Sequence, residues 1–169
     1  MSQQLTRNKK LSRLYEADET AWLETMSRLI GQRRLDQLDY DNLATYLDDM
    51  AAWDRRELNS RLRRLMLHLL KWIYQPAKRI LRRLETICME RFELQGMLTS
   101  KVLMAQAQSQ AAALYVKARK QALRQGRLPK RAIPDGMPFS LEQVLSDDWP
   151  KDLVWRPKRQ KTSTGDSGG

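Results

Sequence analysis

The fold of this chain is decided by residues 39–76, which read DYDNLATYLDDMAAWDRRELNSRLRRLMLHLLKWIYQP. Apolar side chains recur there at intervals of three and four residues, the spacing of one buried stripe on an α-helix. The stripe consists of Leu43, Leu47, Met50, Leu58, Leu62, Leu65, Leu69 and Trp72, and only Asp54 interrupts it. Asp39 and Asp41 suit the N-cap of a helix, and Pro76 ends one. The pattern therefore predicts one long helix between them.

Helical patterns also flank this stretch on both sides. Before it, Asp18 caps an amphipathic segment that ends near Gly31. After Pro76, a third helix is expected to bury one face and expose its Lys and Arg residues. The predicted inner residues are Leu81, Leu84, Ile87, Cys88 and Phe92, and the predicted outer ones are Lys78, Arg79, Arg82 and Arg83.

A fourth helix is predicted from Lys101 to Gln125, where small residues recur at helical spacing and permit close approach of helix axes. Thr99 or Ser100 caps its start, and Gly126 is expected to cap its end. The segment 128–138 holds three prolines and one glycine, so it should wrap the bundle as an extended strap.

Ser140 and Gln143 form a capping-box pattern that opens a short helix ending at Leu145. No long alternation of apolar and polar residues predicts a strand. The expected fold class is therefore all-α, an antiparallel bundle of about four main helices with a Pro-rich C-terminal strap and one short helix.

Length and composition predict one helical domain over residues 14–150, a flexible N-terminus at residues 1–13, and a basic, then Gly/Ser-rich disordered tail at residues 151–169. The single Cys88 excludes an intramolecular disulfide and Cys-based zinc modules. Neither a signal peptide nor a membrane span is recognised, so we expect a cytoplasmic protein.

The positive charge is concentrated in the middle of the chain. The formal net charge is +11, from 31 basic and 20 acidic residues. Residues 61–131 contain 17 basic and 3 acidic side chains, whereas residues 1–60 contain 9 and 11. Such an asymmetry indicates an anionic partner or a solvated surface rather than a particular fold.

Twelve side chains of this basic segment are the predicted contact residues. They are Arg61, Arg64, Lys71, Lys78, Arg79, Arg82, Arg83, Lys117, Arg119, Lys120, Arg124 and Arg127. The leading hypothesis is a non-catalytic interaction protein that docks an acidic protein partner or a second copy of itself. The alternative is non-specific nucleic-acid binding, in which Arg and Lys contact phosphates and release counterions.

His68 is the one histidine of the chain, which removes His-pair metal sites. A structural role, with a hydrogen bond to an acidic or backbone partner, is favoured over a metal or acid–base role with Asp48, Asp49, Asp54 or Glu57. No nucleotide-binding loop or nucleophile motif occurs, so we predict no catalysis, no cofactor and no small-molecule ligand.

The five tryptophans divide into two groups. Trp22, Trp53 and Trp72 lie on helical patterns, which predicts packing in or beside the core. Trp149 and Trp155 lie in the C-terminal tail, where we expect an aromatic anchor that clamps this segment to the bundle. If they are exposed, they mark a partner surface instead.

Four stretches of the sequence together resemble a known family. They are LYEAD at 14–18, the central HLLKWIYQP at 68–76, PFSLEQVL at 138–145 and DDWP at 147–150. This pattern is similar to the bacterial domain-of-unknown-function family DUF29, over about residues 14–150. The resemblance implies a bacterial origin and a soluble α-helical protein, and it implies no activity, cofactor or site residue.

Overall fold

The computed structural model describes the backbone of residues 2–151 and the side chains of residues 9–151. Trp155 and the predicted disordered tail from residue 152 onward lie outside the described residues. Helices and turns, with no strand, make up the described part of the chain, which confirms the all-α fold class.

Six α-helices occur in the described chain. They are α1 Ser2–Ala17, α2 Glu19–Gly31, α3 Tyr40–Tyr74, α4 Leu81–Met97, α5 Lys101–Gly126 and α6 Leu141–Leu145. Short 3₁₀ turns lie at Leu35–Gln37, Pro76–Lys78 and Lys130–Ala132. Five of the helices are long, rather than four, because α1 occupies the N-terminal segment for which we predicted flexibility.

The chain divides into two compact units, and the boundary falls inside α3 between Asp54 and Arg55. We call the part up to Asp54 unit 1 and the part from Arg55 unit 2. The boundary also lies inside the predicted domain of residues 14–150. The two units have separate apolar cores.

Unit 1 is built around Trp22 of α2. This residue is fully buried, together with Leu11 from α1 and Met26 and Leu29 from α2. Leu14 and Tyr15 of α1 also pack against this cluster. Because apolar residues spaced by three and four face a core, the end of α1 gains tertiary support that a polar composition alone does not reveal.

The first part of the α3 stripe is less buried than predicted. Leu43 and Tyr46 pack on the unit 1 cluster, but Leu47 and Met50 are exposed and Trp53 is 59% exposed. A helical stripe is buried only where a second element lies against it, and the cluster contacts of unit 1 end at Tyr46. The prediction that Trp53 packs in or beside the core is therefore wrong.

Unit 2 places the rest of α3 beside α4 and α5. Side-chain bonds from Arg64 to Glu90 and from Arg83 to the Lys71 carbonyl show that α4 runs antiparallel to α3. Bonds from Arg63 to Gln121 and from Lys71 to Gln125 show that α5 runs parallel to α3. The three helices thus run up, down and up around a core whose α5 positions are mostly small, as predicted. The buried α5 residues are Ala107, Ala111, Leu114, Tyr115, Ala118 and Ala122.

The inner face of α4 differs from the predicted one. It consists of Ile87, Glu90, Arg91 and Leu94, which are spaced by three and four residues. Of the predicted inner residues, Ile87 is buried and Leu84 packs against the core, but Leu81, Cys88 and Phe92 are exposed, Phe92 to 75%. Burial of the two charged residues is possible because each is hydrogen-bonded or ion-paired.

The strap and α6 close unit 2 by burying Ile133, Phe139 and Val144. The Trp149 ring packs against Phe139 at a centroid distance of 4.9 Å, which confirms the predicted aromatic anchor. Ser140 and Gln143 form the predicted capping box.

The end of α5 corrects the predicted glycine cap. Arg127, with φ 52°, adopts the left-handed conformation, and the amides of Arg127 and Leu128 bond back to Arg124 and Leu123 as in a Schellman motif. Gly126 serves a different purpose, because a Cβ atom there would clash with the side-chain amide of Gln75. The glycine permits close approach rather than a positive φ.

Candidate anion-binding cleft

The predicted contact residues do not converge on one patch, because several of them stabilise unit 2. Arg64 donates to the buried Glu90 at 2.7 Å, and Arg61 lies 3.4 Å from the same carboxylate. Arg61 also pairs with Glu57 at 2.7 Å and lies 3.7 Å from Glu93. These two arginines neutralise the buried carboxylate that α4 presents to α3.

Arg79 and Arg83 bind the carboxyl end of α3. The Arg79 Nε donates to the Trp72 carbonyl at 2.9 Å, and Arg83 donates to the Lys71 carbonyl at 3.0 Å. The Arg79 guanidinium also lies 5.2 Å from the Trp72 ring centroid. Cations in this position satisfy the last carbonyls of the helix and complement its dipole. Both residues were predicted to lie on the outside of the third helix.

Arg119 holds the strap. Its Nε donates to the Ile133 carbonyl at 2.9 Å, and a terminal nitrogen donates to the Lys130 carbonyl at 2.6 Å. The same terminal nitrogen pairs with Asp135 at 2.7 Å. These bonds leave little of the guanidinium for an external ligand.

The remaining cations of α5 do converge. Lys117, Lys120 and Arg124 line a cleft of about 230 Å³ together with Gln121 of α5 and Arg63 of α3. The spacing of three and four residues places the three α5 cations on one face. No carboxylate lines this cleft, and no ion pair within residues 9–151 involves its four cations. We call this site the basic cleft.

Arg63 is the cleft residue that the sequence prediction missed. Its guanidinium donates to the Gln121 side-chain oxygen at 3.3 Å and so leans across from α3 to α5. Arg63 directly follows the buried Leu62, and the periodicity alone does not tell on which side of the stripe α5 packs. The available signal was the position of Arg63 next to a core residue. That position becomes informative only when the order in which the helices pack is known.

The other predicted residues lie outside the cleft lining. Lys78, Arg82 and Arg127 are exposed and do not line it. Lys71 donates to the Gln125 side chain. Burial, and secondarily the charge of Arg83, lowers the pKa of Lys71. Of the twelve predicted contact residues, only Lys117, Lys120 and Arg124 therefore line the basic cleft.

The family model described as "Domain of unknown function DUF29" matches residues 14–150. The chain belongs to this family. Neither the curated proteins nor the solved structures contain a match to the chain. The matched region therefore covers most of both compact units and includes all five residues that line the basic cleft.

Carboxylates of this DUF29 domain do not gather with His68. Within residues 9–151, no group of three or more His, Cys, Asp or Glu side chains is arranged to hold a metal ion. The buried Asp39 accepts hydrogen bonds from the Trp22 indole and from the Asn42 side chain. Over the part of the chain with a described backbone, no helix combines the length and apolar character needed to cross a membrane.

His68 has a different environment from the predicted one. Its Nδ1 is buried and has no hydrogen-bond partner, whereas we predicted an acidic or backbone partner. Burial, and after it the nearby charges of Lys71, Arg83 and Arg64 in that order, together lower the pKa of His68 to about 4. The imidazole is therefore neutral at pH 7.

This neutral histidine predicts a pH-dependent stability. The folded pKa of about 4 lies below the ordinary value of 6.5, so the unfolded chain takes up a proton first as the pH falls. The associated stability is complete above pH 6.5 and is lost between pH 6.5 and 4. Discounted for partial exposure of the ring, we expect a loss of about 1–2 kcal/mol. Urea unfolding across this range measures it.

The His68→Gln variant is the control for this prediction, because carboxylates also titrate toward the acid end of the range. The variant should lack the His68 contribution while retaining that of the carboxylates. If the free energies of unfolding of the two proteins fell in parallel between pH 6.5 and 4, the prediction would be contradicted.

Proposed function

We propose that this DUF29 protein is a non-catalytic interaction protein that binds an acidic protein segment in the basic cleft. The observation that carries the proposal is the convergence of Arg63, Lys117, Lys120 and Arg124 without a carboxylate among the lining residues. Several other basic residues of unit 2 neutralise Glu90 or bind carbonyl groups, and the exposed Lys78, Arg82 and Arg127 do not line the cleft. The cleft cations are therefore the ones that converge on one concave site.

Energetics support an external anion at this place. Like charges three or four residues apart on a helix destabilise it by about 0.2–0.5 kcal/mol per pair. Lys117, Lys120 and Arg124 have this spacing, so an anion between them removes a repulsion as well as adding an attraction. Arginine also binds a carboxylate through two parallel hydrogen bonds, which adds geometric specificity.

The shape of the cleft, and the exposed apolar side chains elsewhere on unit 2, favour a protein ligand. A concavity of about 230 Å³ between two helices accepts compact groups such as carboxylate side chains. Unit 2 also exposes large apolar side chains on α4, including Met89 and Phe92. Exposed apolar groups that neighbour one another suit a protein surface better than a sugar-phosphate backbone. A second copy could supply the acidic segment from the exposed Asp48 and Asp49 of α3.

Nucleic acid is the second candidate ligand, and the length of the basic face favours it. Lys117 and Arg127 are ten residues apart on or at the end of α5, which is about 15 Å along a helix. Cations spread over this distance can contact successive phosphates. None of the described residues that line the cleft is aromatic, so these residues offer no base stacking.

Charge reversal in the cleft tests the proposal. We expect Lys120→Glu with Arg124→Glu to weaken binding of a fluorescein-labelled, glutamate-rich helical peptide by about 20-fold or more, because attraction becomes repulsion. The matched control is Lys101→Glu with Arg131→Glu, which changes the net charge equally at exposed residues outside the cleft lining. The control should weaken binding by less than about twofold. Fluorescence anisotropy at low salt measures both.

The other outcomes are equally informative. Equal losses in the cleft variant and the control would show that only net charge matters, and would reject the proposal. Tighter binding of a short DNA duplex than of the peptide, with affinity falling steeply as salt rises, would establish the second candidate instead. Absence of binding to either probe at low salt would reject both. Sedimentation of the protein alone shows whether a second copy is the partner.

A further inference from the structure

Unit 1 contains a second and larger cavity, separate from the basic cleft. It has a volume of about 810 Å³ and is formed by α1, α2 and the turn Leu35–Gln37. Binding sites for small molecules typically measure about 300–1,000 Å³. The cavity is therefore large enough for a ligand of ordinary size.

Apolar side chains form part of the cavity wall. Leu11, Leu14 and Ala17 contribute from α1, and Leu29 contributes from α2. Leu11 and Leu29 also belong to the buried cluster around Trp22, so one side of the cavity is continuous with the core of unit 1. Such a wall is suited to an alkyl chain, because it removes apolar surface from water.

The polar part of the lining carries one sign of charge. Lys10, Arg13, Arg28 and Arg34 all line the cavity, and among the residues with described side chains no carboxylate does so. This selection is notable because residues 1–60 contain more acidic than basic side chains. No ion pair within residues 9–151 engages these four cations. The charged groups of the lining are thus available to an anion.

We propose that this cavity binds an amphiphilic anion, an alkyl chain that carries a phosphate or carboxylate head group. The apolar wall takes the chain, and the four cations take the head group through charge-assisted hydrogen bonds. Neither feature is sufficient alone, because an apolar wall does not select an anion and surface cations do not select a chain. The site is in unit 1, so the inference does not depend on the function proposed for the basic cleft.

Calorimetric titration of the full chain with dodecyl phosphate, below its critical micelle concentration, tests this proposal. Laurate, dodecyl maltoside and inorganic phosphate are titrated in parallel. We expect dodecyl phosphate and laurate to bind, and the neutral maltoside and the chainless phosphate to bind at least about tenfold more weakly. A difference in affinity between dodecyl phosphate and laurate identifies the preferred head group.

Variants locate the binding. Arg13→Glu with Arg28→Glu should weaken dodecyl phosphate binding by about tenfold or more, because two attractive charges become repulsive. The matched control is Arg55→Glu with Arg56→Glu, at exposed α3 residues that do not line the cavity. Thr25→Phe, which fills the cavity with an apolar ring, should also reduce binding while retaining all four cations. Circular dichroism verifies that each variant keeps its helical content.

Three results would overturn the proposal. The first is equal affinity for dodecyl phosphate and dodecyl maltoside, which would remove the role of the cations. The second is equal loss of binding in the Arg13/Arg28 variant and the Arg55/Arg56 control. The third is the absence of binding to every chain-bearing anion by the folded wild-type protein.

Discussion

Replacement of Arg91 by alanine should lower the free energy of unfolding by about 3–4 kcal/mol, since it removes hydrogen bonds from buried carbonyls and leaves a cavity. The Arg91 side chain is 1% exposed. Its Nε donates to the Val144 carbonyl at 3.0 Å, and a terminal nitrogen donates to the Trp149 carbonyl. One α4 side chain therefore holds both α6 and the segment that follows it. Urea unfolding at neutral pH measures the loss.

The Arg91→Met variant separates the two contributions to this effect. Methionine retains most of the buried volume but donates no hydrogen bond, so it should lose about 1–3 kcal/mol. A loss below about 1 kcal/mol for the alanine variant would contradict the prediction. It would mean that the two carbonyls find water when the guanidinium is removed.

Replacement of Trp22 by alanine should lower the free energy of unfolding of unit 1 by about 3–5 kcal/mol, the usual cost of truncating a large buried ring. The indole is fully buried. Its ring centroid lies 4.8 Å from that of Tyr15 and 5.9 Å from that of Tyr46. It thus joins α1, α2 and α3, and its Nε1 donates to the buried Asp39 at 3.3 Å. Thermal and urea unfolding followed by circular dichroism measure the effect.

Trp22→Phe is the matched control, because it keeps a buried aromatic ring while removing the hydrogen bond to Asp39 and part of the ring volume. We expect it to lose about 1–2 kcal/mol, since Asn42 still donates to the same carboxylate. If the alanine variant were no less stable than the phenylalanine variant, the Trp22 ring could not be what joins the three helices.

Local signals predicted the helix ends accurately where the chemistry is contained within a few residues. Asp18, Ser100 and Ser140 each accept a hydrogen bond from a backbone amide in the first turn of the following helix. These bonds need only neighbouring residues, so the sequence is enough to place them. The end of α5 was misassigned because Arg127 adopts a conformation that glycine usually takes. Gly126 is needed for another reason, since it leaves room for the side chain of a distant residue, Gln75.

Helix orientation was predicted less well, and α4 shows why. The predicted inner face contained Leu81, Leu84, Ile87, Cys88 and Phe92, whereas the face that the structure buries contains Ile87, Glu90, Arg91 and Leu94. The first is the more apolar of the two, so periodicity favours burying it. The second is buried because Glu90 pairs with Arg64 on α3, and Arg91 donates to carbonyl groups of α6 and of the segment that follows it. Partners this far away in sequence cannot be read from local spacing.

The candidate site repeats the same distinction. Composition predicted that basic side chains of residues 61–131 bind an anion, and three of the predicted residues, Lys117, Lys120 and Arg124, line the basic cleft. Arg63 was missed, because its place depends on which side of α3 receives α5. The cavity of unit 1 was also missed, because four cations from a predominantly acidic segment assemble only when α1 packs against α2.

The sequence by itself determined the all-α class, the long helix α3, the N-terminal caps of α2, α5 and α6 and the small-residue face of α5. Each of these depends on backbone hydrogen bonding and on spacing within one helix. Only the tertiary structure decided which face of α4 is buried, which cations are used inside the protein, and which remain at the cleft and the cavity. Those outcomes depend on contacts between residues such as Arg61 and Glu90, which lie 29 positions apart in the chain.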